Sequence, residues 1–91
     1  MKKPLTPAMK QHKACKEQYP DCIVFFRLGD FYEVFDEDAL ICSRVLHITL
    51  TKRHETPMAG IPARSLEKYL PLLLAQHYKI AIAEQMTNAI P

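Results

Sequence analysis

The stretch RLGDFYEVF, Arg27 to Phe35, constrains what this chain can fold into more than any other. Gly29-Asp30 separates two apolar, aromatic and β-branched arms, CIVFFRL before it and FYEVF after it. A glycine at the first central position supplies the positive φ of a type II′ turn, so the segment is expected to form a tight β-hairpin. Side chains alternate along a strand, which puts Phe31, Glu33 and Phe35 on one face of the returning arm and Tyr32 and Val34 on the other. Burying Phe31 and Phe35 together would draw Glu33 into the core without a partner, at a cost of about several kcal/mol. The less costly arrangement turns Tyr32 and Val34 inward and leaves Phe31 exposed near the tip beside a carboxylate. The plainer alternative pairs Glu33 with Arg27 across the hairpin, with Phe31 merely covering the sheet.

The other elements are placed around that hairpin. Thr6-Pro7 is a helix start, a capping hydroxyl followed by a residue suited to the first helical position. Ala8, His12, Cys15 and Tyr19 then recur at helical spacing until Pro20-Asp21. Asp36-Glu37-Asp38 puts negative charge at the start of a second helix, which runs to Leu46. HITLTK, His47 to Lys52, alternates as a half-buried strand. PMAGIP is extended, and its two prolines confine it to a sheet edge or a turn. Ser65 caps a third helix reaching about His77, with Pro71 expected to kink it or shift its start. YKIAIAEQM closes the series as a buried strand. The order α-β-β-α-β-β-α-β gives an α/β (α+β-like) class, a mixed β-sheet of about five strands packed by three helices.

Ninety-one residues make one small domain, taken as 1–91, with a modest core. No apolar run approaches the about 18–20 residues of a membrane span, and MKKPLTPAMK has no apolar segment of a secretory signal. Three cysteines, Cys15, Cys22 and Cys42, lack metal-ligand spacing, which with the missing signal points to a reducing, cytoplasmic setting. The net charge of +2 is too small to announce a polyanion partner. Lys2, Lys3, Lys10, Lys13 and Lys16 crowd the N-terminus and Lys52, Arg53 and His54 form a second basic knot, both read first as solvated faces. TNAIP follows directly on a buried-type strand, an ending expected of a module truncated from something longer.

TPAMKQ, FRLGDFYEVFDEDA, ITLTKR, PMAGIP, LEKYL and IAIAEQM stand in an order that resembles the N-terminal mismatch-recognition domain, domain I, of the bacterial MutS family of DNA mismatch-repair proteins. The resemblance runs from Thr6 to Met86. It implies a Phe-x-Glu reader: Phe31 as an aromatic wedge entering from the minor groove to stack on a mispaired base, and Glu33 as its hydrogen-bonding neighbour. Leu28, Asp30, Arg53 and Met58 correspond to residues lining the DNA. The implied partners are double-stranded DNA with mismatches or small loops and the remainder of a MutS-type dimeric clamp, at the nucleoid. ATP and Mg²⁺ serve the full-length family elsewhere; no cofactor and no catalytic residue is expected in this chain. Departures from the family pattern lie in a short loop between Arg53 and Pro57, in ARS where an aromatic-histidine pair is common, in Pro71, and in the absence of a completing strand.

Physical terms make this reader plausible. A wedge between base steps costs a few kcal/mol of unstacking (about), and an aromatic–base contact returns about 1–3 kcal/mol, so the two nearly cancel on intact duplex. At a mismatch part of the cost is already met, and the balance changes sign. An ionised Glu33 only accepts hydrogen bonds and needs a base N–H freed from pairing, while a protonated one can donate to a ring nitrogen. Against a normal pair the acid adds mainly repulsion. Two rivals come from other classes. Asp30, Glu33, Asp36 and Asp38 could form a Mg²⁺ site for phosphodiester cleavage, or the chain could be a protein-interaction module without a DNA role.

Overall fold

Thr6 begins the chain's first helix by accepting a hydrogen bond from the Met9 amide, 3.1 Å, and Pro7 occupies the first turn. The computed structural model describes residues 6–84. Helix α1 (Pro7–Gln18) leads into β1 (Cys22–Leu28) and β2 (Phe31–Phe35), then α2 (Asp36–Leu46), β3 (Thr51–Arg53) and β4 (Thr56–Pro62). A single 3-10 turn (Ala63–Ser65) precedes α3 (Leu66–Ala75) and β5 (Lys79–Glu84). The strands form one sheet in the order β3-β4-β2-β1-β5, with β1 and β5 parallel and the other neighbours antiparallel. The expected α+β class, the element order and the hairpin are all present. No described helix is long and apolar enough to cross a membrane.

The sheet is covered on both faces. Ile23, Phe25, Tyr32, Val34, Ala59 and Ile61 form the main core with Ala39, Cys42 and Leu46 of α2 and Leu66 and Leu73 of α3. On the opposite face α1 buries Ala8, Met9 and His12, and the His12 ring stands edge-on to Phe35 at 4.8 Å and Phe26 at 6.4 Å. Each phenylalanine so buried contributes about 1.5–3 kcal/mol.

Strand β2 passes into α2 without a loop, with Asp36 at φ 53° making the bend. Pairing between β1 and β2 stops at Phe26–Glu33, so the Val24 amide lacks a β2 partner. Asp38, in the first turn of α2, supplies the acceptor at 3.0 Å, and its other oxygen holds Lys16 Nζ of α1 at 2.8 Å. Lys16 also donates to the Cys22 carbonyl. Thus Asp38, placed by sequence only at a helix start, is a buried clamp joining α1, β1 and α2.

Four expectations need correction. HITLTK is not a strand over its length: His47 ends α2 at φ 57°, the Ile48 carbonyl accepts from Ser43 Oγ at 2.9 Å, and pairing begins only at Thr51. PMAGIP is neither an edge nor a turn but part of the interior strand β4, between β3 and β2. Its prolines sit near the two ends of the strand, while Ala59 and Ile61 between them are buried. Ser65 makes no side-chain cap, and α3 ends at Ala75 with Pro71 inside it. Strand β5 is at an edge and only half-buried, with Ile82 exposed. Its expected extension to Met86, the TNAIP ending, and Lys2 and Lys3 lie outside the described residues.

The three cysteines are free, and burial together with nearby Asp38 pushes the Cys42 thiol up to about 12, which keeps it inert.

Asp38→Ala would leave Lys16 and the Val24 amide without their partner, and urea unfolding is expected to show a loss of about 3–5 kcal/mol. His12 yields a pH dependence. Burial lowers its pKa below the ordinary 6.5, with Lys16 adding to the effect and Asp38, Asp36 and a backbone bond to Val24 opposing it. Its Nε2 has no hydrogen-bond partner among the described residues, so the fold prefers the neutral ring. The unfolded chain then takes up a proton first as pH falls. Stability from this site is complete above about pH 6.5 and declines below it, through the lowered folded pKa. His12→Leu should flatten the unfolding midpoint between about pH 7 and pH 5, measured by thermal melts across that range.

Candidate nucleic-acid interface

Tyr32 and Val34 are buried against α2 and α3, and the pleat therefore delivers Phe31 and Glu33 to the α1 face. Helix α1 covers only part of that face. Phe35 lies beneath His12 and is 2% exposed, whereas Phe31, at the tip, is 50% exposed. Glu33 is between them, its side chain 14% exposed. Leu28 is directly across the hairpin from Phe31 and half-buried, so an apolar pair forms the tip of this face.

The tip is pinned from several sides. Gly29 takes φ 59°, as the turn requires. Arg27 Nε donates to the Gly29 carbonyl at 2.9 Å, and its guanidinium lies 5.5 Å from the Tyr32 ring centre. The Asp30 carbonyl accepts from the Ala63 amide at 2.7 Å, tying the turn to the end of β4. Asp30 thus has a backbone role, with its side chain in an exposed turn. Arg27 does not pair with Glu33 as the alternative had it, because Arg27 is opposite Tyr32 and belongs to the other face.

Glu33 pairs instead with Arg53, Oε1 to Nη1 at 2.7 Å, with the arginine side chain 40% exposed. Arg53 ends β3, two strands from Glu33, just before a turn in which His54 and Glu55 take φ 49° and 67°. Met58 is half-buried on the same face, opposite Phe35 on one side and Thr51 on the other. The sequence-derived residues Phe31, Glu33, Leu28, Arg53 and Met58 therefore share one sheet face. Lys10 and Lys13 are exposed on α1, the helix covering the rest of it.

One contributor escaped the sequence reading. Gly60 is directly across β4 from Glu33, and a Cβ there would meet Glu33 Cγ at 3.7 Å and the Tyr32 carbonyl at 3.4 Å. Its lack of a side chain keeps the surface beside the carboxylate low. A glycine inside a strand run is the signal that could have found it.

The proposed Mg²⁺ cluster does not assemble: Asp38 is held by Lys16 and Glu33 by Arg53. Among the described residues no group of three His, Cys, Asp or Glu side chains could hold a metal ion.

The family described as MutS domain I matches residues 6–90. A protein of Thermosipho melanesiensis named DNA mismatch repair protein MutS is 59% identical over 85 residues, covering 93% of this chain and 10% of that relative. Proteins with the same name from Fervidobacterium nodosum and Chlamydia trachomatis serovar L2b are 55% and 54% identical, each over 84 residues, 92% of this chain and 10% of the relative. The chain thus spans about a tenth of the length of these curated relatives.

The exposed and buried arms of β2 should respond differently to truncation. Chemical unfolding of Phe31→Ala is expected to show a loss below about 1 kcal/mol, and Tyr32→Ala a loss of about 3–5 kcal/mol.

Proposed function

This chain belongs to the MutS domain I family, and we propose that it recognises defects in double-stranded DNA during mismatch repair. The observation that carries this reading is an aromatic ring held half-exposed on a pinned hairpin, beside a carboxylate. Phe31 enters from the minor groove and stacks on a mispaired or unpaired base, with Leu28 and Met58 as apolar flanks. Glu33 accepts a hydrogen bond from a base N–H that normal pairing no longer occupies. Arg53, with Lys10 and Lys13 as outer support, meets phosphates.

The chemistry is differential. On intact duplex the unstacking cost and the stacking return nearly cancel, and the carboxylate adds repulsion from the polyanion. At a mismatch or small loop the stack is already weakened, so the same wedge gains. The domain reads deformability and free hydrogen-bonding edges, with no preference for one sequence. It does no chemistry on the DNA; ATP-dependent steps and the grip of a dimeric clamp belong to the remainder of a MutS-type protein in the cytoplasm, acting at the nucleoid. The few phosphates within reach give the domain alone weak, salt-sensitive binding.

The test is fluorescence anisotropy at low salt with matched, single-mismatch and one-base-loop duplexes. It uses the 91-residue chain and a full-length relative whose matching segment is replaced by it. Phe31→Ala should reduce the preference for the defect by about 5- to 150-fold, the equivalent of one lost base stack, while weak general binding persists. Glu33→Ala should narrow the preference by raising affinity for matched DNA. An unchanged preference in Phe31→Ala would assign the wedge elsewhere. Absence of DNA binding in both proteins would favour an interaction module.

A further inference from the structure

The partner of Glu33 is placed on the wrong side for the role just proposed. Along the exposed face of β4, Pro62, Gly60, Met58 and Thr56 follow one another. Phe31 is opposite Pro62, Glu33 opposite Gly60, and Arg53 opposite Thr56. Arg53 and Phe31 thus lie on opposite sides of Glu33. The 2.7 Å bond from Arg53 Nη1 draws the carboxylate across β4 and away from the ring. A base stacked on Phe31 would be on the tip side. Among the described residues, Arg53 is the one donor to that carboxylate.

We infer that the Arg53–Glu33 pair is a latch that parks the reading carboxylate away from Phe31 until a DNA defect replaces Arg53 as its partner. This rests on the reading of Phe31 and Glu33 above and adds a coupling to it. Glu33 is largely covered, so releasing Arg53 without a substitute strands a charge in a poorly solvated place. Arg53 is far more exposed and can move to a phosphate. On matched duplex the N–H groups of the pairing edges are occupied, and an intact stack keeps them out of reach of the carboxylate, so the latch stays closed and Arg53 stays off the backbone. At a mismatch the base takes over Glu33, and the released guanidinium gains a phosphate. One defect therefore produces two contacts, one of them ionic.

That exchange leaves a signature in salt dependence. Each phosphate neutralised contributes about 0.9 to the slope of log affinity against log salt. The wild-type slope on mismatched DNA should be steeper than on matched DNA by about that amount. Arg53→Ala should make the two slopes equal by lowering the mismatched one. Glu33→Ala should also make them equal, by the opposite route, because an unlatched Arg53 reaches phosphate on matched DNA too. Arg53 is exposed and Glu33 largely covered, so circular dichroism melts are to check that each variant folds before its slopes are compared.

Titrations between about 50 and 200 mM salt, in the chain and in the full-length relative carrying it, decide the matter. Parallel wild-type slopes, with a mismatch preference still present, would overturn the latch and leave the wedge reading standing. Unequal slopes that survive in Arg53→Ala would overturn it as well. Absence of any wild-type mismatch preference would instead remove the reading on which it rests.

Discussion

The two-residue period of β2 is the constraint on which the rest of this structure depends. Tyr32 and Val34 are required by the core between the sheet and helices α2 and α3. Their burial fixes Phe31 and Glu33 on the opposite face, since a strand cannot turn one side chain without turning its neighbours. Helix α1 then decides how much of that face is closed. It covers Phe35 and Phe26 and stops short of the tip. An exposed ring beside a half-sheltered acid is thus a by-product of satisfying the core, held in place by the Gly29 turn and the Asp30–Ala63 bond.

Two ion pairs show how burial changes the meaning of the same chemistry. In Lys16–Asp38 the carboxylate side chain is 4% exposed and also satisfies a backbone amide, so the pair is a fixed joint between three elements. In Arg53–Glu33 the cation is open to solvent. The carboxylate of this pair is largely covered, so the acid keeps a need for a donor even when the arginine moves. The arginine can be taken by another anion when a second donor meets Glu33, which is what an exchangeable contact needs. The first pair holds the sheet to α1, and the second stands on the surface that α1 leaves open.

Membership in the MutS domain I family agrees with this division. The hairpin, its pins and the two cores are local properties, complete within the residues described. Grip on a duplex is not local, because one small face reaches few phosphates. The wedge proposed for Phe31 would gain strength from a larger protein holding DNA against it, and the chain matches only about a tenth of the length of its relatives.

The sequence by itself determined the hairpin, its turn, the element order and the exposure of Phe31, because all of these follow from local periodicity and turn chemistry. Gly29-Asp30 and the alternation of FYEVF needed no knowledge of distant residues. The partner of Glu33 could not be read that way. Arg27 is near in sequence but faces Tyr32, while Arg53 arrives from two strands away. The interior position of β4 was hidden for the same reason: strand order is set by which faces the helices cover, and prolines at strand ends do not reveal it. Asp38 likewise reads as a helix-start charge until the sheet ladder stops short and leaves Val24 to it. Local chemistry therefore specified each side chain's face, and only the packed sheet decided its partner, because partners are chosen by through-space neighbours from distant parts of the chain.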